Sequence, residues 1–251
     1  MVADSLTVSV LQAALESTAD GILVVDVEGK IVSHNRRFEE MWRLPSPLIA
    51  TNGDATGRRR LIQHLQEQLR NPEYFVDGIE ERYAEAESDS FDILNFKDGR
   101  VLERYSIPLR LDGRSVGRVW SFRDVTARRR AECIQEAVYR ISHTAHTAEN
   151  LLELLRAIHE IVGELMPAKN FYVSLHNSDK GQLEFPYFVD EIDLTCEVRP
   201  RELRKGLTEY VLRTGRPLLA TPEVYEQLVE AGEVGLIGAP SIHWLGVPLW
   251  V

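Results

Sequence analysis

The stretch that decides the fold is FDILNFKDGRVLERYSIPLRLDGRSVGRVWSFRDVTARRRAE, Phe91 to Glu132. Apolar and polar residues alternate through it, the period of a strand with one buried face. Two Asp-Gly pairs, Asp98-Gly99 and Asp112-Gly113, interrupt the alternation where tight hairpin turns belong. The last strand, Val116 to Phe122, ends at Asp124-Val125-Thr126 and runs straight into a charged, helix-forming segment. The segment therefore predicts a three-stranded antiparallel meander joined directly to a helix.

Upstream, Val10 to Ser17 has apolar residues at helical spacing (Val10, Leu11, Ala14, Leu15). Thr18-Ala-Asp-Gly21 breaks it. Ile22–Val27 and Lys30–His34, joined at Glu28-Gly29, form a hairpin. Asn35 then caps a helix, Arg36–Arg43, with Phe38, Met41 and Trp42 on one face, which Pro45 and Pro47 end. Asn52–Gly57 is a loop. Arg59–Leu69 is a helix with Leu61, Ile62, Leu65 and Leu69 on its buried stripe, and Glu73–Glu87 is helical and acidic. The order is hairpin, helices, meander.

Downstream, Thr126 to about Met166 reads as one long helical pattern. Ile134, Val138, Ile141, Ala145 and Ala148 follow the four-three spacing of a coiled-coil seam. A lone helix with one apolar stripe cannot bury it in water, so a second copy of the chain is the expected partner. Leu151, Leu152, Leu155, Ile158, Val162 and Leu165 make a denser stripe suited to packing on a domain. Strands follow at Asn170–Asn177 and Gln182–Val189, then an irregular segment at Asp190–Pro200. A short helix from Gly206 to Thr214, a strand at Leu218–Thr221, a helix at Pro222–Ala231 and an apolar strand at Trp244–Val251 complete the chain.

The 251 residues suffice for two domains. A net charge of −10, from 29 basic and 39 acidic residues, argues against nonspecific affinity for nucleic acid or an anionic membrane. The basic runs Arg58–Arg60 and Arg128–Arg130 are short and far apart, as solvated helix ends are. The two cysteines, Cys133 and Cys196, form no CxxC pair, so no structural metal site is expected and a reducing cytoplasm fits. The N-terminus lacks a signal-peptide pattern, and no stretch approaches the ~18 apolar residues needed to span a bilayer.

Residues of about 8–132 resemble a PAS domain. The resemblance is carried by AALESTADGILVVDVEGKIVSHNRRFEEMWRLP and by the meander ending in SFRDVT. Asn35 and Phe38 match the family's Asn-Xaa-Xaa-Phe, and Asp124, Val125 and Thr126 match its Asp-(Ile/Val)-Thr. Residues of about 147–251 resemble the front part of a GAF domain, through AENLLELLRAIHEIVGELMPAKNFYVSLHN, GLTEYVLRTGRPLL and WLGVPL. In that family further strands and a closing helix follow the last of these. The Met at position 1 reads as a natural start, so the missing part is expected C-terminally. The resemblance implies an α+β chain of two domains. A PAS-like antiparallel sheet flanked by helices spans 8–126, a signalling helix 127–148, and a partial GAF-like α/β sheet domain 149–251.

No catalytic constellation is visible. Phosphate-cradling glycine motifs are absent, and His159-Glu160 does not continue to HExxH because position 163 is Gly. His143 reads as a surface histidine of the coiled coil. A PAS-like fold encloses a cavity between sheet and helices. The aromatics Phe38, Trp42, Phe91, Tyr105, Trp120 and Phe122 either line it around an organic ligand or simply fill the core. His64 lies where haem-binding relatives carry an axial histidine. Gln63 and Gln66 flank it and the buried face is already defined by leucines, so haem is not expected. No cysteine lies between residues 1 and 132 for flavin attachment, and Cys196 sits in an irregular segment, so bilin is not expected either; the cofactor is left open.

The chain is thus expected to be a cytoplasmic sensory input region and not itself an enzyme. It would sense a small ligand or a partner and act as a homodimer through the linker helix, with no nucleic-acid or membrane partner. Asp124 and Thr126 would pin the sheet to the helix, and Ile134, Val138 and Ile141 would form its seam. The alternatives are the regulatory part of a sensor histidine kinase or cyclic-di-nucleotide enzyme, or a ligand-free dimerisation scaffold.

Overall fold

Both Asp-Gly pairs turn the chain, and they do so through left-handed backbone at Gly99 (φ 86°), Asp112 (φ 52°) and Gly113 (φ 77°). Leu111 pairs with Arg114 across a two-residue loop. Positive φ at both loop residues is the type I′ geometry that matches the twist of the flanking strands.

The computed structural model describes residues 2–45, 48, 55–73, 75, 88–191, 200–235 and 243–250. The expected loop at Asn52 to Asp54, the acidic helix beyond Phe75 and the segment around Cys196 lie outside them. The chain divides into two units, Met1–Gln135 and Glu136–Val251. The first contains α1 (Val2–Glu16), β1 (Gly21–Asp26), β2 (Ile31–His34), α2 (Arg36–Met41), α3 (Ala55–Glu67), β3 (Ser90–Asn95), β4 (Val101–Leu111) and β5 (Arg114–Asp124). α4 (Thr126–Thr147) begins in it. The second contains α5 (Leu151–Leu165), β6 (Phe171–Asn177), β7 (Gln182–Val189), β8 (Arg201–Glu202), α6 (Leu207–Thr214), β9 (Leu218–Ala220), α7 (Pro222–Glu230) and β10 (Trp244–Gly246). No helix among the described residues is long and apolar enough to cross a membrane.

In the first unit a five-stranded antiparallel sheet has the order β2-β1-β5-β4-β3. The N-terminal hairpin thus adds to the meander along β5. At Gly117 a Cβ would stand 2.0 Å from the Val25 carbonyl oxygen, so only glycine lets the two strands lie this close. One face of the sheet is buried by Leu23, Val25, Leu94, Leu102, Trp120 and Phe122. Phe38, Met41 and Trp42 cover it from α2 and the turn after it, and Leu61 and Leu65 from α3. Each such side chain contributes ~1.5–3 kcal/mol by leaving water. Trp42 is the centre of this layer, 5.0 Å from the Phe96 ring and 5.4 Å from the Phe122 ring.

Asn35 ties these pieces together. Its Oδ1 accepts from the N–H of Ile22 (2.8 Å) and of Phe38 (3.0 Å), which caps α2. Its Nδ2 donates towards the carbonyls of Leu15 (3.0 Å) and Asp20 (2.9 Å) and the Thr18 hydroxyl (3.0 Å). The end of α1, the start of β1 and the start of α2 therefore meet on one buried amide.

The expected helix boundaries move most in three places. α1 begins at Val2 instead of Val10, and α3 at Ala55 instead of Arg59. The single helical pattern from Thr126 to Met166 is two helices, α4 and α5, separated at Ala148–Asn150. Asn150 stops the run: its Oδ1 accepts from the Glu153 N–H (2.9 Å), and the Glu153 carboxylate accepts from the Glu149 N–H (2.9 Å). This reciprocal cap satisfies donors that a continuous helix would have bonded internally. The last strand is also shorter than expected, Trp244–Gly246.

In the second unit β6, β7 and β8 form one antiparallel sheet, and β9 pairs with β10. α5 buries Leu155 and Ile161. His159 on α5 stacks on Phe171 at 4.7 Å, and its ring nitrogens reach the Tyr187 hydroxyl (2.9 Å) and the Ala168 carbonyl (2.6 Å). Both nitrogens of the would-be HExxH histidine are thus engaged in packing. Tyr172 bridges the pieces, with its hydroxyl 2.7 Å from Thr208 Oγ1 and accepting from Trp244 Nε1 (3.1 Å).

Glu209 on α6 is buried, and its carboxylate accepts from Arg201 and from the Arg204 N–H (3.0 Å). Burial raises its pKa, but the Arg201 and Arg204 bonds outweigh that and hold it below the ordinary 4.5. A lowered folded pKa gives stability that is present above pH ~4.5 and lost as pH falls through the folded value.

Two outcomes follow. Asn35→Ala lowers the unfolding free energy of the first unit by about 3 kcal/mol, since a cap is worth ~1 kcal/mol and each stranded buried partner ~1–3. It is read as a lower denaturant midpoint at unchanged slope, and Asn35→Asp gives no rescue because a carboxylate would face the Leu15 and Asp20 carbonyls. Glu209→Gln destabilises the second unit at pH 7, and denaturation curves at pH 7 and 3.5 show its deficit against wild type shrinking in acid.

Candidate functional site

The alternation of the sheet and the i, i+4 stripe of α3 leave a cavity of about 60 Å³ between them. A single water needs only ~10–15 Å³, so the space is several times what one water needs. Leu23, Val25, Gly29 and Ile31 of the first hairpin form one side. α3 supplies Arg58, Leu61, Ile62 and Leu65, and Phe75 closes a corner. The floor is Arg104, Trp120 and Phe122.

Arg104 is the unusual member, a guanidinium with 1% exposure in an apolar wall. Its Nε and Nη2 donate to Asp92 Oδ2 at 3.0 and 2.9 Å. Its Cζ lies 4.9 Å from the Phe75 ring centre and 5.2 Å from that of Trp120. Such contacts recover part of the cost of taking a cation out of water.

The aromatic candidates part company here. Trp120 and Phe122 line the cavity. Phe38 and Trp42 lie in the core behind Phe122, each with ring centres 5.4 Å from it, and support the wall without lining it. Phe91 and Tyr105 are on the opposite face, 49% and 42% exposed, with ring centres 4.8 Å apart. The pleat is the reason. Phe91 pairs with Tyr105 and Asp92 with Arg104, and successive residues of a strand face opposite ways, so placing Asp92 and Arg104 inward turns both aromatics out. His64 does not line the cavity either. It sits on the flank of α3 with Nε2 3.3 Å from the Trp42 carbonyl oxygen, so no axial position faces the cavity from it. Among the described residues no group of three or more His, Cys, Asp or Glu could hold a metal ion.

The exit of the sheet is built from Asp124 and Thr126. Asp124 Oδ1 accepts from the Thr126 N–H (2.9 Å) and hydroxyl (2.5 Å), which caps the start of α4. Thr126 Oγ1 in turn accepts from the Val101 N–H (3.0 Å) at the start of β4. Val125 between them is buried, and its N–H donates to the Val101 carbonyl (3.0 Å). A contact not anticipated from sequence reinforces this joint: the carboxylate of Glu103, buried on β4, pairs with Arg128 on α4 at 2.5 Å. Further along, Ile134 and Val138 are both 57% exposed and Ile141 is half-buried.

The family model described as PAS fold matches residues 15–133. The chain therefore carries a PAS domain there, a mixed α+β fold whose antiparallel sheet is flanked by helices. No curated protein matches the chain. Among solved structures, the sensor region of a sensor histidine kinase is 18% identical over 43% of this chain, at a TM-score of 0.35, and the chain spans 40% of that one. A PAS domain of a protein from Colwellia psychrerythraea is 16% identical over 48% of this chain and 98% of that one, at 0.34. The PAS domain of an HTR-like protein from Haloarcula marismortui is 18% identical over 48% and 93%, at 0.33.

Asp124→Ala is expected to fray the first turn of α4 and leave the sheet folded. Hydrogen exchange should speed up at the amides of Val101 and of residues 126–129 and stay unchanged in β1. The global cost should be about 1 kcal/mol, the usual worth of a cap.

Proposed function

We propose that this chain is a cytoplasmic sensory input region of a signal-transduction protein. In this reading the PAS domain takes a small ligand and relays its occupancy through α4 to a paired copy of the chain. The observation that carries it is the joint of sheet and helix: β5, which walls the cavity with Trp120 and Phe122, runs without a linker into α4. A ligand that moves β5 moves the Asp124–Thr126 cap and the Glu103–Arg128 pair with it. The exposed stripe of Ile134 and Val138 supports a second α4 as the partner that would cover it. Such a relay needs two arrangements of the helix pair within a few kcal/mol of each other.

The second unit, in this reading, is the front part of a GAF domain. The order α5, β6, β7, then α6, β9, α7 and β10 supports it, as does the left-handed Gly215 that ends α6 within the Thr-Gly-Arg-Pro turn. The residues described do not themselves form a catalytic centre in this reading, and any enzymatic output belongs to another domain.

The seam can be tested by oxidation. In a Cys133→Ser background, Ile134→Cys should give a disulfide-linked dimer under mild oxidation, with Cys133→Ser alone as the blank. A chain that sediments as a monomer at tens of micromolar and forms no such link would refute the dimeric relay.

A further inference from the structure

We propose that the cavity of the first unit takes a small neutral apolar molecule, a short hydrocarbon or a single uncharged ring. The proposal rests on the reading of the cavity as a ligand site and goes beyond it by naming the chemical class.

The wall decides the class by what it has left to offer. Among the described residues the ionisable side chains that line the cavity are Arg58 and Arg104. Arg104 gives its Nε and Nη2 to the Asp92 carboxylate, which also neutralises its charge. Arg58 gives Nη1 to the Glu28 carbonyl oxygen. Both have further partners within the chain. A guanidinium carries donors and no acceptor, so a guest finds neither a spare fork nor an acceptor on these two groups. An anion would leave water here with no charge to meet it, and a cation would meet two guanidinium groups. Either loss is costly where little else is polar.

What remains is apolar surface. Leu23, Val25 and Ile31 form one side, Leu61, Ile62 and Leu65 face them, and Trp120 and Phe122 lie on the floor. A water molecule needs ~2–4 polar partners to stay in a cavity. Water filling this one would set its hydrogen bonds against aliphatic and aromatic carbon. A neutral apolar guest is driven out of water by the same effect that buries the wall. It also gains the dispersion contacts that an empty space forgoes. An apolar cavity of ~150 Å³ stays dry and admits benzene. The space here, about 60 Å³, suits a short hydrocarbon, and half-buried Ile62 is the wall residue that yields to a ring.

The test follows the methyl resonances of Leu23, Val25, Leu61 and Leu65 in the full chain at pH 7. The probes are xenon, cyclopentane and benzene, with benzoate and benzylammonium as charged counterparts. The expected result is a saturable shift with cyclopentane or benzene, at an affinity at least about tenfold above that of either charged probe. Ile62→Trp fills the cavity and should remove the shift. Ile62→Ala widens it and should tighten benzene at least about threefold, which keeps the test decisive even if Ile62→Trp fails to fold. Charged probes that bind as tightly as neutral ones, and lose binding in Ile62→Trp, would overturn the neutral class and leave the ligand-site reading standing. A shift that survives Ile62→Trp, or a benzene affinity unmoved by Ile62→Ala, would overturn the assignment to this cavity. Entry of xenon alone would mark the space as a packing void and, like binding of none of the five probes, would overturn both readings.

Discussion

The carboxamide of Asn35 is the constraint on which the first unit depends. Three elements converge on it: the end of α1, the first residues of β1, and the N-terminus of α2. An amide is the one short side chain with an acceptor and two donors on a single rigid plane. Here the acceptor faces two backbone N–H groups and the donors face two carbonyls and a hydroxyl. The packing of Phe38 and Trp42 against the sheet follows from where this amide starts α2. The core behind Phe122 therefore depends on a polar contact, although most of the burial energy is apolar.

The same unit shows how a charge inside a fold can serve two ends. Glu103 and Arg104 are neighbours on β4 and point to opposite faces. One is buried against Arg128 of α4, and the other lies in the cavity wall. Anything that shifts β4 along its length is felt on both faces at once, because a strand transmits displacement through a covalent backbone. The cavity and the helix are separated by one residue of sequence and the thickness of one sheet. No chain of intervening side chains is required to link them.

Much of this was legible in the sequence. The hairpins, the Asn35 cap, the stripe of α3 and the Asp124–Thr126 exit follow from turn chemistry and periodicity. Local patterns of that kind are written in a few consecutive residues. The break at Asn150 was also written locally, as Asn-Xaa-Xaa-Glu, but the apolar spacing on either side masked it. The composition of the cavity was harder. Hydrophobicity favoured Phe91 and Tyr105 as inward residues, whereas the pleat gives those positions to Asp92 and Arg104. Parity along β4 from Leu102 would have placed Arg104 inside, had the alternation been followed past the charge. The pairing of Glu103 with Arg128 depends on where α4 leaves the sheet, which no single segment encodes. His64 was misplaced for a related reason: its position on α3 is fixed by a backbone carbonyl near α2, a contact across 22 residues.

Asp92 has a further consequence for how the protein behaves in a crowded solution. Among the described residues β3 is the last strand of its sheet, and its outer face carries the exposed Phe91 and Ile93. A sticky edge of this kind invites another chain to add a strand. A carboxylate that points inward from an edge strand is one of the devices by which natural sheets discourage such growth. Asp92 is held in that orientation by Arg104. An added strand could continue the ladder only by placing its own side chains beside a carboxylate already committed to its neighbour. The pair that shapes the cavity floor is thus also a guard against edge-to-edge aggregation. A change that removes the arginine would loosen that guard as well as alter the cavity.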